Sequence, residues 1–150
     1  MSLKEALLAY AHFVAIFGLA VTLVAELVLL RPAMDAALFR RLRSVDLGYG
    51  IAAVGVAITG VLRLTLGAKG AAYYAGDPVF WAKMALFLAV GLLSIPPTVS
   101  YLRWRKLAAP DGSLVLSATA YGRTRTLLWV EIGLFCLIPL CATFIAYGVR

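Results

Sequence analysis

The sequence predicts an all-α fold, a four-transmembrane-helix bundle with both termini outside, and three observations carry that expectation. The chain is 63% hydrophobic with a mean hydropathy of +0.95, whereas soluble domains are roughly half apolar. Four apolar runs each reach the about 20 residues that a helix rising ~1.5 Å per residue needs to cross a bilayer. Nine of the fourteen Lys and Arg fall in two segments, Arg31 to Arg43 and Arg103 to Arg125, as expected of loops retained in the cytoplasm. A chain of 150 residues then holds one integral membrane domain, 1–150, with no soluble appendage.

The first span runs from about Glu5 to Leu30. Its apolar stretch exceeds the about 7 to 15 residues of a secretory signal core and no A-x-A pattern accompanies it, so it is read as a retained span. Pro32 ends it, because proline has no N–H to continue the ladder and its ring clashes with the preceding turn. The connector "AMDAALFRRLRSVD" is short and basic. With Ala33, Leu38 and Leu42 turned to lipid, it is expected to lie as a helix along the membrane surface.

The second span, about Asp46 to Leu66, carries Gly48, Gly50, Ala52, Ala53, Gly55, Ala57 and Gly60. Small side chains let helix backbones approach closely in lipid, which places this helix at the centre of the packing; a composition merely rich in Gly and Ala is the alternative. "GAKGAAYYAGDP" is a turn-rich outer loop whose Tyr73 and Tyr74 suit the membrane interface. Asp77 is placed as N-cap and Pro78 as first-turn proline of the third span. That span is expected to kink or break at Pro96 and Pro97, with Ser94, Thr98 and Ser100 satisfying the freed backbone groups. "KLAAPDGSLVLSATAYGRTR" is the polar loop, and the fourth span runs from about Thr126 to Tyr147 with Pro139 inside it.

Against nine loop cations assigned inside stand Lys4, Arg63, Lys69 and Arg150 outside or near it, so both termini face outward. The formal charge of +7 thus reports orientation, and nucleic acid is not expected as a partner. Cys136 and Cys141 lie in the last span on different faces and form no CxxC motif, so they read as small hydrophobes.

Three nitrogen-bearing side chains fall within the outer leaflet at similar depth: His12, Arg63 and Lys83. A cation at the centre of a span costs about 2.5 to 3.5 kcal/mol on insertion scales and less near an interface. The plain readings are snorkelling for Arg63 and Lys83 and an interhelical hydrogen bond for His12. Their convergence at one depth points instead to an anionic ligand. A tetrapyrrole fits that chemistry, with His12 as metal ligand to haem iron and Arg63 and Lys83 holding propionates. The inner half carries Glu26, Asp46 and Glu131, read as helix-end ion pairs with Arg31, Arg43, Arg103 or Arg125, or alternatively as a proton or cation path. One His and scattered carboxylates offer no spacing for a zinc or di-iron site.

"AYAHFVAIFGLAVTLVAELVLLRP", "RLRSVDLGYGIAAVGVAITGVLRL", "GAKGAAYY", "DPVFWAKMALFLAVGLLSIPPT" and "IPLCATFIAYG" together resemble an uncharacterised bacterial family of predicted four-helix membrane proteins, over almost the whole chain. More distantly, a His near the outer start of the first helix and "FWAK" opening the third resemble the membrane-bound J-type protoporphyrinogen oxidase. That resemblance implies catalytic roles for His12 and Lys83, haem b as cofactor, a porphyrinogen substrate, a quinone as electron acceptor and the bacterial cytoplasmic (inner) membrane as location. Glu131 also resembles an acidic position there. The chain departs from the oxidases in "IFGLAV", which lacks their tryptophan-containing pattern, and in its loop basic pattern. Since His12 is the only histidine, a bis-histidine haem within one chain is impossible; a homo-oligomer is expected. The functional expectation is a membrane haem- or porphyrin-binding redox protein. The alternatives are a carrier or channel for a small anion and a non-catalytic membrane scaffold.

Overall fold

The computed structural model describes residues 3–66 and 70–148. Lys69 and Arg150, two of the cations assigned to the outer side, lie outside those residues. The elements are α1 (Leu3–Leu29), β1 (Ala33–Met34), α2 (Ala36–Leu66), α3 (Gly70–Ala75), α4 (Pro78–Trp104), β2 (Leu114–Val115) and α5 (Ala118–Tyr147). Four of them, α1, α2, α4 and α5, are long and apolar enough to span a membrane.

The four spans pack as two helical hairpins, α1 on α2 and α4 on α5, which meet along a seam where α1 touches α5 and α2 touches α4 more lightly. Small residues set the first hairpin. A Cβ placed on Gly48 would stand 3.5 Å from Thr22, one on Gly55 3.5 Å from Ala15, and one on Gly18 3.7 Å from Ala52, so the backbones run close, as small side chains permit. Gly48, Gly55 and Gly60 of α2 thus face α1, whereas Gly50 has open space beside it. The expected central position is not what forms: Leu47, Ile51, Val54, Ile58 and Val61 on the other side of α2 are exposed and suit lipid. Leu19, Leu23, Leu30, Leu42, Tyr101 and Leu128 form the buried interior across the seam.

Three expectations are corrected. The basic connector is no separate surface helix: it is the first turns of α2, a continuous 31-residue helix of about 46 Å at ~1.5 Å per residue. That exceeds a ~30 Å hydrocarbon core, and Arg40 and Arg41 are carried out on its exposed end. Next, α4 is not broken at Pro96 and Pro97. The Ser94 hydroxyl donates to Gly91 O at 2.8 Å and the Ser100 hydroxyl to Pro96 O at 2.8 Å, so neither serves the carbonyls four residues before the prolines, and Thr98 is used elsewhere. Finally, α5 starts at Ala118, capped by the Ser117 side chain accepting from Ala120 N.

The N-terminus of α4 forms as expected, with the Asp77 side chain accepting from Val79 N at 2.9 Å and Pro78 in the first turn. A two-stranded antiparallel ribbon, β1 with β2, joins the connectors at the opposite end and pairs Ala33 with Val115 and Met34 with Leu114. Leu116 N donates to Pro32 O at 2.8 Å beside it. Gly112 turns the chain into β2 at φ +79, where a Cβ would come 2.8 Å from that of Ala36. Both chain ends therefore lie at the α3 end of the bundle, away from the ribbon.

Candidate functional site

Two polar groups occupy the seam, one toward the α3 end and one toward the ribbon. At the α3 end His12 of α1 is buried, and its Nδ1 lies 2.8 Å from Thr59 Oγ1 of α2. The Thr59 hydroxyl has one hydrogen, which goes to its own helix: it donates to Gly55 O at 2.6 Å, with Val56 O farther at 3.3 Å. Thr59 therefore accepts from His12, and this hydrogen-bond pattern assigns the proton to Nδ1. Nε2 is left with its lone pair and bonds no described residue. The bond to Thr59 fixes the orientation of the His12 ring.

Arg63, one turn beyond Thr59 on α2, is exposed with its guanidinium 5.9 Å from the centre of the Phe13 ring. Lys83, in the second turn of α4, is half-buried. The charges of both act on His12, and Lys83 in turn feels Arg63 and the Cys141 thiol of α5. Neither cation has an ion-pair partner among the described residues. The structure thus brings together the three residues chosen from the sequence, and adds Thr59 and Cys141.

Toward the ribbon, three carboxyls converge from three helices: Glu26 (α1), Asp46 (α2) and Glu131 (α5). Each accepts one hydroxyl hydrogen bond from across the seam. Tyr49 donates to Glu131 Oε1 at 2.5 Å, Thr98 to Asp46 Oδ1 at 2.5 Å and Tyr101 to Glu26 Oε2 at 3.2 Å. Glu26 lies within electrostatic reach of both Asp46 and Glu131, and Glu131 of Asp46. Glu131 is fully buried, and its second oxygen, Oε2, has no hydrogen-bond partner.

The expected helix-end ion pairs are not what the carboxyls make among the described residues. Arg31, Arg103 and Arg125 are exposed, and Arg43 acts on Asp46 only at longer range. Hydroxyls took the place assigned to arginines because a tyrosine reaches across a helix interface without carrying a charge out of water. No group of described His, Cys, Asp and Glu is arranged to hold a metal ion.

A family model matches residues 4–150. The chain belongs to that family, Predicted membrane protein (DUF2214). No curated protein and no solved structure matches the chain.

Away from the outer group, this DUF2214 protein has a cavity of about 330 Å³ between α4 and α5 near the ribbon, lined by Pro96, Ser100, Arg103, Arg123, Thr124 and Leu127 among others. A shallower one of similar volume lies on the α2 surface at Ala57, Ile58, Val61 and Leu62. Neither is lined by His12, Arg63 or Lys83.

Proposed function

We propose that this DUF2214 protein binds a carboxylate-bearing tetrapyrrole, haem b or a porphyrin, in the seam at the α3 end and serves a redox reaction in the bacterial inner membrane. The observation that supports this reading most is the His12 tautomer: Thr59 holds Nδ1–H, Nε2 is free to ligate, and two cations without carboxylate partners stand within reach of it. The donor set fits haem, since a neutral imidazole is the usual axial ligand and Arg and Lys pair with propionates. When bound, haem supplies one-electron chemistry.

The chain's own residues supply binding and orientation. Arg63 and Lys83 hold the ligand carboxylates at the α3 end, where their side chains also reach headgroup level, and Thr59 fixes the imidazole plane of His12. In the enzymatic form of this reading the substrate is a porphyrinogen, Lys83 and His12 contact it, and a quinone takes up the electrons. With one histidine per chain, a haem held by two imidazoles would need a second copy of the chain, in keeping with a homo-oligomer. The cation bias supports an orientation with both termini outside and His12 in the outer leaflet.

The absorption spectrum of protein purified from cells supplied with ample haem tests the proposal. A Soret band at one haem per chain, or one per pair of chains, is the expected result. A colourless protein that also fails to take up added haem would overturn it and favour a carrier or channel for a small anion, which the same outer cations would attract.

A further inference from the structure

We infer that Glu26, Asp46 and Glu131 form a proton-binding site, with Glu131 Oε2 as the atom that takes up and releases the proton. The inference goes beyond the ligand at His12 and does not depend on it. Three of the seven acidic residues of the chain meet in the seam, and no lysine or arginine pairs with them among the described residues. Each accepts from a single hydroxyl donor among the described residues, and all three bonds cross between the hairpins.

The decisive atom is the unpartnered one. Glu131 has no exposed surface, Tyr49 occupies Oε1 and nothing bonds Oε2. A buried carboxylate oxygen without a donor is costly, and a metal does not resolve it, because no described group is arranged to hold one. A proton on Oε2 lowers that cost: it removes the buried charge of Glu131 and with it one of three neighbouring negative charges.

A route for exchange is also present. Leu127, one turn before Glu131 on the same face of α5, lines the cavity near the ribbon together with Ser100, which adjoins Tyr101 in α4. Water admitted to that cavity would stand about one helical turn from the cluster. Uptake is a transfer of H⁺ from hydronium to the Glu131 carboxylate, leaving water and a carboxylic acid, and no electron moves. The groups facing Glu131 and its partners are Glu26 from α1, Asp46, Tyr49 and Arg43 from α2, and Ser94, Thr98 and Tyr101 from α4. Arg43 is the one cation in this set and sits on the Asp46 side, and of the three carboxyls Glu131 is the one with a buried oxygen that nothing bonds.

Two measurements on the full chain in phosphatidylcholine vesicles test this. Infrared spectroscopy of the wild-type protein at neutral pH should show the carbonyl band of a protonated carboxyl that shifts in heavy water, fades as the pH is raised and is lost in Glu131→Gln. N,N′-dicyclohexylcarbodiimide, whose central carbon bonds a carboxyl oxygen while a nitrogen takes the carboxyl proton, should add once, at the peptide containing Glu131, with a yield falling as pH rises. Absence of both the band and the adduct in wild-type protein at neutral pH overturns the inference. So does a band that survives Glu131→Gln and disappears in Asp46→Asn. Where Glu131→Gln fails to fold, the wild-type titration and the labelled peptide decide the matter.

Discussion

Tyr49 on α2 donates to Glu131 on α5 across 2.5 Å, joining two helices that otherwise hardly touch. With Tyr101 on Glu26 and Thr98 on Asp46, the bond makes a polar clasp between the two hairpins toward the ribbon. In lipid, apolar side chains gain little by leaving hydrocarbon for one another, so such bonds matter more to hairpin choice than their number suggests.

Tyr49→Phe keeps the ring and deletes the donor, leaving Glu131 with no partner on either oxygen. Interhelical hydrogen bonds average about 0.6 kcal/mol and reach about 1.7, and the loss at Tyr49 should fall at the upper end of that range. Tyr101→Phe, which removes a bond of 3.2 Å, should cost less. Thermal unfolding of both variants in one detergent checks the order.

Gly112→Ala should loosen the ribbon. The residue has φ +79 and its new Cβ would meet Ala36 at 2.8 Å, where left-handed backbone alone costs about 1–2 kcal/mol for a residue with a side chain. Hydrogen exchange should speed at Leu116 N–H, bonded to Pro32 O, while the amides of α1 are unaffected.

Much of this architecture is legible in the sequence, because a bilayer dictates helix length and every backbone group must be satisfied within the helix. The four spans and the Asp77–Pro78 start of α4 follow from that. So does the shared depth of His12, Arg63 and Lys83, which needs only residue counting. The ribbon is not legible: Ala33–Met34 and Leu114–Val115 are too short to show a period and pair at long range. The hydroxyl partners are hidden for another reason. Nothing along the chain ties Tyr49 to Glu131 or Tyr101 to Glu26; only helix rotation about the seam does, and the apparent supply of arginines suggested the wrong partner. Thr59 was within reach of sequence reasoning, as a threonine one turn before Arg63 on the helix facing His12.

Asp111 gives the one pH dependence outside the spans. The Ser113 side chain and then its backbone N–H hold this carboxyl below the usual carboxylate range. A lowered value in the folded loop means the turn is fully supported above the ordinary carboxylate range and loses that support as pH falls through the folded value. The protection of Ser113 N–H, its exchange rate compared with that of a free amide at the same pH, should fall on acidification, and Asp111→Asn should abolish that change in protection.

The nine loop cations give the proposed orientation its test. A reporter fused after Arg150 should be active in the periplasm, and one inserted at Asp111 in the cytoplasm. The opposite pattern would move His12 and Lys83 to the inner leaflet while leaving their proximity intact.

The most direct test of a tetrapyrrole site at the α3 end is haem occupancy measured side by side in wild type, His12→Ala and Lys83→Met. An unperturbed lysine, with a pKa of about 10.4, must lose a proton before it can ligate iron, so His12 should dominate the iron and Lys83 the carboxylates. His12→Ala is expected to abolish or strongly shift the Soret band. Lys83→Met should lower occupancy several-fold while the remaining haem keeps the wild-type spectrum. Unaltered occupancy and spectrum in both variants would contradict the site.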